Sequence, residues 1–249
     1  MIIKKAQTLA FCVLAAFSLS AQDVDEIIST YFENTGGYEA WGTLKGVKTT
    51  AKLQQGGLEF PMEIVQLADG RSYQQFEVQG NTFMQGVFDG ETVWNTNFQS
   101  LQAEDADAET IANTKLDAND FPDSFYNYKE KGYTAELLGE EDFDGASTYK
   151  VKLTKEKKMM DGQEVDDITY YYFDVDAMIP IGVEQEIKQG PAKGSIAITT
   201  MSDYQEVDGF YFPFSLTQGV KGGGQPQPIQ IDSIEINPEV DESKFVKPE

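Results

Sequence analysis

The sequence contains no histidine, and that absence removes a large part of enzyme chemistry. Ser-His-Asp and Cys-His nucleophilic sites, histidine general bases and most zinc sites all need an imidazole. Cysteine is nearly absent too. The single one, Cys12, lies in a short apolar stretch near the N-terminus, so no disulfide framework is expected. Arginine occurs once, as Arg71. Its fork of donors could anchor a carboxylate or phosphate, but its place after a turn points to a surface ion pair. Positive charge is scarce overall: 19 Lys and Arg face 42 Asp and Glu, a formal net charge of -23. A chain this acidic, with no basic cluster, repels nucleic acid and anionic membrane surfaces. No apolar run is long enough to span a bilayer, and no Gly-rich phosphate loop follows a strand.

Carboxylates are the one reactive class in excess. The dense spots are Asp166-Asp167, Glu140-Glu141-Asp142 and Glu104-Asp105, which fall at turns or on a polar helix face. Solvation accounts for them, since no EF-hand spacing and no inward acid pair at glycosidase separation is evident. The expectation is therefore a protein without catalysis, cofactor or metal.

What is present begins with a leader. Lys4 and Lys5 precede an apolar stretch over residues 9–17, and Ser18-Leu19-Ser20-Ala21 supplies small residues for cleavage after Ala21. The mature chain, residues 22–249, then reads as one exported domain. Residues 23–38 predict a helix: Asp23 or Asp25 can cap it, Val24, Ile27, Ile28, Tyr31 and Phe32 form an apolar stripe, and Gly36-Gly37 ends it. A short turn with Trp41 and Leu44 follows. From Val47 the period changes to two, with strands over 47–53, 58–67, 71–78, 82–88 and 91–97 separated by Gly-Gly, Asp-Gly and Gly-Asn turns. Residues 102–119 predict an acidic amphipathic helix stopped by Phe121-Pro122, and Phe125, Tyr126 and Tyr128 a second short helix ending at Gly132. Strands resume over 134–138, 147–154, 167–174, 181–188, 192–203, 210–220 and 229–236.

The segment from Tyr204 to Phe214 shows the rhythm most clearly. Asp208-Gly209 suits a two-residue hairpin turn, and Phe210, Phe212 and Phe214 then share one face. Pro213 removes a ladder donor, which predicts an edge strand or a local irregularity. So many antiparallel strands should curl strongly, giving a mainly β fold in which helices either plug the concave face or cover its opening.

Several stretches carry a family resemblance: Asp25-Glu26-Ile27-Ile28 through Gly36-Gly37, Phe88-Asp89-Gly90-Glu91-Thr92-Val93-Trp94, Tyr128-Lys129-Glu130-Lys131-Gly132, Glu136-Leu137-Leu138-Gly139, and Tyr204 to Gly209 with Phe212-Pro213-Phe214. In order and spacing the chain resembles the outer-membrane lipoprotein-sorting proteins, the Lol-type periplasmic carriers. The resemblance implies a strongly curved, unclosed antiparallel β-barrel with helices in or over its mouth, a periplasmic location, an apolar cavity for acyl chains and no catalysis. It assigns the lid role to the first helix and to residues 102–119, with Ile27, Tyr31, Ile111 and Leu116 as their apolar contacts. One departure is plain. The family's arginine before Pro-Asn on the third strand is replaced here by Gln66-Leu67-Ala68-Asp69-Gly70, and Arg71 is offset from it.

The reading this supports is a carrier or binder of lipid or acylated lipoprotein. Strand alternation assigns the cavity wall to Phe60, Met62, Ile64, Phe83, Trp94, Ile198, Phe212 and Phe214. The alternative is a non-enzymatic envelope module with a filled barrel core and a protein partner. A monomer is expected, with no nucleic-acid partner.

Overall fold

A computed structural model describes residues 23–248; the leader read from residues 1–21 lies outside them. Helix α1 spans Val24–Asn34. The Asp23 carboxylate caps it by accepting from the Asp25 N–H. It ends where the Thr35 hydroxyl donates to the Tyr31 carbonyl at 2.7 Å and Gly37 N–H donates to Phe32. Gly36, at φ 132°, lets this corner lie against the Asp208-Gly209 turn, because a Cβ there would sit 2.8 Å from the Gly209 carbonyl oxygen. A one-turn helix, α2 (Tyr38–Trp41), follows.

The first meander comprises β1 (Gly46–Gln55), β2 (Leu58–Leu67), β3 (Ser72–Val78), β4 (Asn81–Phe88), β5 (Val93–Thr96) and β6 (Ala103–Asp105). Helix α3 (Ala108–Asp117) and a 3-10 turn (Ala118–Asp120) interrupt it. The second part comprises β7 (Thr134–Phe143), β8 (Ala146–Thr154), β11 (Ile168–Asp174), β12 (Pro180–Glu186), β13 (Ile196–Val207), β14 (Phe210–Val220) and β15 (Gln227–Ile236). A separate small hairpin, β9 (Lys158–Met160) with β10 (Gln163–Val165), projects between β8 and β11. Pairing of β1 with β15 joins the two parts into one antiparallel sheet of 13 strands, ordered β6-β5-β4-β3-β2-β1-β15-β14-β13-β12-β11-β8-β7. Its ends, β6 and β7, do not pair, so the sheet is not closed.

The main core shows how strongly the sheet curls. Strands β1 and β7 are seven steps apart, about 34 Å if the sheet were flat. Yet one cluster around Ile27, Ile28, Tyr31 and Phe32 of α1 touches Val47 of β1, Ile236 of β15, Phe210 of β14, Val151 of β8, Phe173 of β11 and Leu137 of β7. A helix is only about 10 Å across, so the sheet must wrap around it. The face holding α1 is the inner face.

Three expectations need correction. The predicted helix over 102–119 starts late: Ala103–Asp105 instead pairs with β5, and Asp107 caps α3 by accepting from Thr110 N–H at 2.7 Å. The aromatic segment after Pro122 is a run of turns, because Asn127 adopts φ 53° and breaks any helix. The local irregularity expected at Pro213 is present: β14 is an interior strand but pairs with β15 only from Ser215 onward, so Pro213 needs no donor on that side. Finally, α1 is the centre of the core rather than a lid: Ile27 and Phe32 have no exposed surface and Tyr31 is nearly as buried.

A polar bridge fixes α1 to the segment after Pro122. The half-buried Asp123 carboxylate accepts from the Tyr31 hydroxyl at 3.0 Å and from the Phe125 N–H at 2.7 Å. Burial raises its pKa; these two bonds and the nearby Lys131 oppose the rise, while Asp120 adds to it. A carboxyl whose folded pKa is raised favours folding below its unfolded pKa and loses that contribution as pH rises through the folded value. The stability of Asp123→Asn relative to the parent should therefore improve as pH rises from about 4 to about 7. Urea unfolding across that range tests this, and a pH-independent difference would refute it. Phe32→Ala should cost about 3–5 kcal/mol in the same assay, because its ring packs edge-on against Tyr38, Trp41 and Tyr126.

Candidate ligand cavity

The register decides which side chains face inward. Across β1 and β2, Ala51 pairs with Met62, Leu53 with Phe60 and Thr49 with Ile64. Met62 continues to Phe76 on β3, and Phe76 to Phe83 on β4. On the other side Ala51 pairs with Ile231 and Leu53 with Ile229, and Ile229 with Leu216 on β14. Alternation along β14 puts Phe210, Phe212, Phe214 and Leu216 on this inner face.

The helices do not fill all of that face. Trp41 of α2 sits on Phe210 and Phe212, each with ring centroids 5.7 Å away, so the plug ends there. Farther along the strands, toward the β1–β2 and β14–β15 tips, a second cluster gathers Ala51, Met62, Phe214, Ile229 and Ile231. Beside it lies a cavity of about 230 Å³, with Leu53, Met62, Ile64, Phe76, Leu216, Ile229 and Ile231 in its walls. Thr49, Gln74, Gln218 and Gln227 supply its polar groups. A wider depression of about 560 Å³ adjoins it through Gln227, between the two hairpin tips.

Of the residues assigned to the wall from sequence, Met62 and Ile64 line this cavity and Phe214 lies in the same cluster. Phe60 is inward, next to Leu53. Phe83 also faces inward, but its ring is stacked at 4.8 Å on Phe98, which is 62% exposed on the β5–β6 loop. Phe212 belongs to the plug.

Two assignments are corrected. Trp94 lies on the outer face, where Val65, Tyr73, Met84 and Val87 form an apolar patch covered by Phe245 of the C-terminal 3-10 turn Glu242–Phe245. Its indole N–H donates to the Phe245 carbonyl at 3.2 Å. Ile198 is also outward: it pairs with Glu184, which accepts from the Tyr172 hydroxyl on the face opposite Phe173. In both strands the observed alternation is one residue out of phase with the expected one, and such a slip exchanges the faces. The signal missed was the C-terminal turn, which gives the outer face its own apolar cover. Arg71 holds that turn, pairing with Asp69 at 2.9 Å and with Glu242, and lying 4.8 Å above the Phe245 ring.

Helix α3 has the opposite character to α1. None of its residues is buried; Ile111 and Leu116 are half-exposed. Polar contacts hold it. The Asn113 side chain donates to the Met159 carbonyl at 2.7 Å and accepts from the Met159 N–H at 3.0 Å. Glu109 accepts from Asp161 and Gly162 N–H, both at 2.9 Å. At its C-terminal end, Lys158 pairs with Asp117 at 2.5 Å, and Lys155 with Asp120 at 2.6 Å. Both lysines also approach the buried Asp167 carboxylate at 3.2 Å. Burial alone would raise that carboxyl, but the two ammonium groups hold it below the usual carboxylate range. The lysine cluster is therefore neutralised rather than a free basic patch.

Ala118, just past α3, packs on Gly70, and this region meets Gln66 and Ser72. Gln66 and Ser72 are one inward position beyond the paired Ile64 and Gln74 of the cavity wall. The α3 segment thus borders one end of the cavity and the hairpin tips border the other. Among the described residues, no cluster of His, Cys, Asp or Glu is placed to hold a metal, and no helix is long and apolar enough to cross a membrane.

No protein-family model and no curated protein matches the chain. Solved structures do. An outer membrane lipoprotein-sorting protein domain from Vibrio parahaemolyticus superposes with a TM-score of 0.53 at 13% identity, covering 88% of this chain and 94% of that one. A DUF1329 family protein from Desulfovibrio piger gives 0.54 at 14% identity, covering 90% and 97%. A LolA superfamily protein from Nitrosomonas europaea gives 0.52 at 11% identity, with the same coverage as the Desulfovibrio protein. These likenesses, with the unclosed 13-stranded sheet wrapped around α1, establish the architecture: the chain has the Lol-type fold.

Proposed function

We propose that this protein is an exported binder or carrier of lipid or lipoprotein acyl chains, working in the periplasm without catalysis or cofactor. The observation that carries the reading is the inner-face cavity between Met62, Phe76, Leu216 and Ile229, left open where the helical plug stops. Its floor is apolar and its volume of about 230 Å³ corresponds to roughly eight methylene-sized groups, taking about 30 Å³ for each as for a water. Glu59 is the one ionisable side chain among the residues lining the cavity and its adjoining depression, so these walls suit holding a chain rather than cleaving it. The Vibrio and Nitrosomonas neighbours, described as lipoprotein-sorting and LolA superfamily proteins, lend the reading their fold; fold alone does not fix cargo.

Magnitudes indicate which helix moves to lengthen the cavity. Exposing Ile27, Ile28, Tyr31 and Phe32 would cost very roughly 6–12 kcal/mol, at 1.5–3 kcal/mol for each buried side chain. The contacts holding α3 are exposed or half-buried hydrogen bonds and ion pairs, worth about 1–2 kcal/mol each. In this reading α3 is the movable cover, and its departure extends the apolar track past Gln66 and Ser72.

Binding of fatty acids or acylated peptides of increasing chain length should strengthen about fourfold per methylene, from about 0.8 kcal/mol per buried CH₂, and level off once the cavity is filled. Calorimetric titration measures this. No binding at any length would end the carrier reading and favour an envelope interaction module with a filled interior. Leu216→Trp should block the cavity and weaken binding at least tenfold while the unfolding midpoint changes little. Asn113→Ala with Glu109→Gln should raise hydrogen exchange selectively in α3 and speed ligand uptake; unchanged exchange there would refute the role given to those bonds.

A further inference from the structure

The polar lining of the cavity and its adjoining depression is made almost wholly of glutamine. Gln74, Gln218 and Gln227 face the inner cavity, and Gln54, Gln55, Gln225 and again Gln227 face the outer depression. In a chain whose residues are 24% charged, these walls contain one charged side chain, Glu59, and no lysine or arginine. Elsewhere some glutamine amides are engaged within the protein: Gln85 donates to the Thr96 carbonyl, Gln185 to Asp167 and Gln230 to the Phe214 carbonyl. Among the described residues, none of the six lining amides bonds to another protein group, so their donors and acceptors are free to meet a ligand.

The neighbouring lysines are already committed. Lys221, just before the β14–β15 loop, pairs with Glu184 at 2.6 Å, and Lys52 of β1 pairs with Asp232 at 3.4 Å. An anionic head at this mouth would meet Glu59 and a strongly negative protein, and among the described residues no lysine or arginine lines these walls to offset the repulsion. An uncharged head bearing hydroxyl or amide groups would find amides that both donate and accept.

We propose that the site selects amphiphiles with a single apolar chain and an uncharged, hydrogen-bonding head, and discriminates against anionic lipids of the same chain length. This rests on the acyl-binding reading and adds the head-group class to it. The chain occupies the cavity beside Met62, Leu216 and Ile229, and the head lies in the depression among Gln225, Gln227, Gln54 and Gln55. The same head chemistry is offered by an acylglycerol and by an alkyl glycoside.

The test is calorimetric titration of the mature protein near neutral pH, below the micellar concentration of each probe. Four probes with matched ten-carbon chains are compared: monodecanoylglycerol, decyl glucoside, decanoate and decyl phosphate. The two uncharged probes should bind at least tenfold more tightly than the two anions, and the ratio between them tells glycerol from sugar as the preferred head. Gln225→Leu with Gln227→Leu, both in the depression assigned to the head, should weaken the two uncharged probes severalfold more than it weakens decanoate. Gln227→Lys should shift the preference toward the anions; all variants are checked for an unchanged unfolding midpoint. Equal binding of charged and uncharged probes, or loss of all binding in the leucine variant, would overturn the head-group proposal and leave the acyl-binding reading standing. Failure of all four probes would remove both.

Discussion

The structure depends on the seating of α1 against the inner face of the sheet. Ile27 and Phe32 are fully buried there, and residues of β1, β7, β8, β11, β14 and β15 converge on that one helix. A flat sheet of this width could not bring its strands to a common core, so burial of the α1 stripe and curvature of the sheet are one constraint. The Asp123 bridge to Tyr31 and the close fit of Gly36 to the Asp208-Gly209 turn fix the angle at which the helix enters.

The open space on the inner face follows from where that plug ends. The aromatic stack of Trp41 on Phe210 and Phe212 closes the inner face at one end, and beyond it the apolar side chains of β1, β2, β3, β14 and β15 have no helix to cover them. The outer face shows the contrasting solution. There Val65, Tyr73 and Trp94 would also be bare, but the C-terminal turn covers them, with Phe245 as its apolar contact and Lys244 bonded to Glu63 at 2.7 Å. The Glu242–Phe245 turn covers the outer patch over β2–β5, while the inner face is left partly open beyond the plug.

The two longer helices divide the work by the chemistry of their contacts. Apolar burial makes α1 part of the folding core, whereas hydrogen bonds from Asn113 and Glu109 and the ion pairs of Asp117 keep α3 at the surface. Exchange of such polar contacts for water is nearly balanced in free energy, so a segment held this way can open without unfolding the rest. The excess of acid in the sequence is partly spent here, since Asp117, Asp120 and Asp167 neutralise Lys155 and Lys158 between α3 and the sheet.

Local residue order is enough to set the class of fold and its pieces. The period-two strands, the Asp-Gly turns with positive φ at Asp144-Gly145 and Asp208-Gly209, and the capped stripe of α1 are legible because each is set by residues a few positions apart. The absence of histidine likewise excluded whole chemistries without any structure. Tertiary structure alone decided which face each strand turned inward. Alternation brings Met62, Ile64 and Phe214 together, but Trp94 and Ile198 face outward, because their cross-strand partners Val87 and Glu184 set the phase and a one-residue slip reverses it. The glutamine-lined mouth was hidden for the same reason. Gln54, Gln74, Gln218 and Gln225 are unremarkable in sequence and become one wall only when β1 pairs with β15 and the two hairpin tips meet.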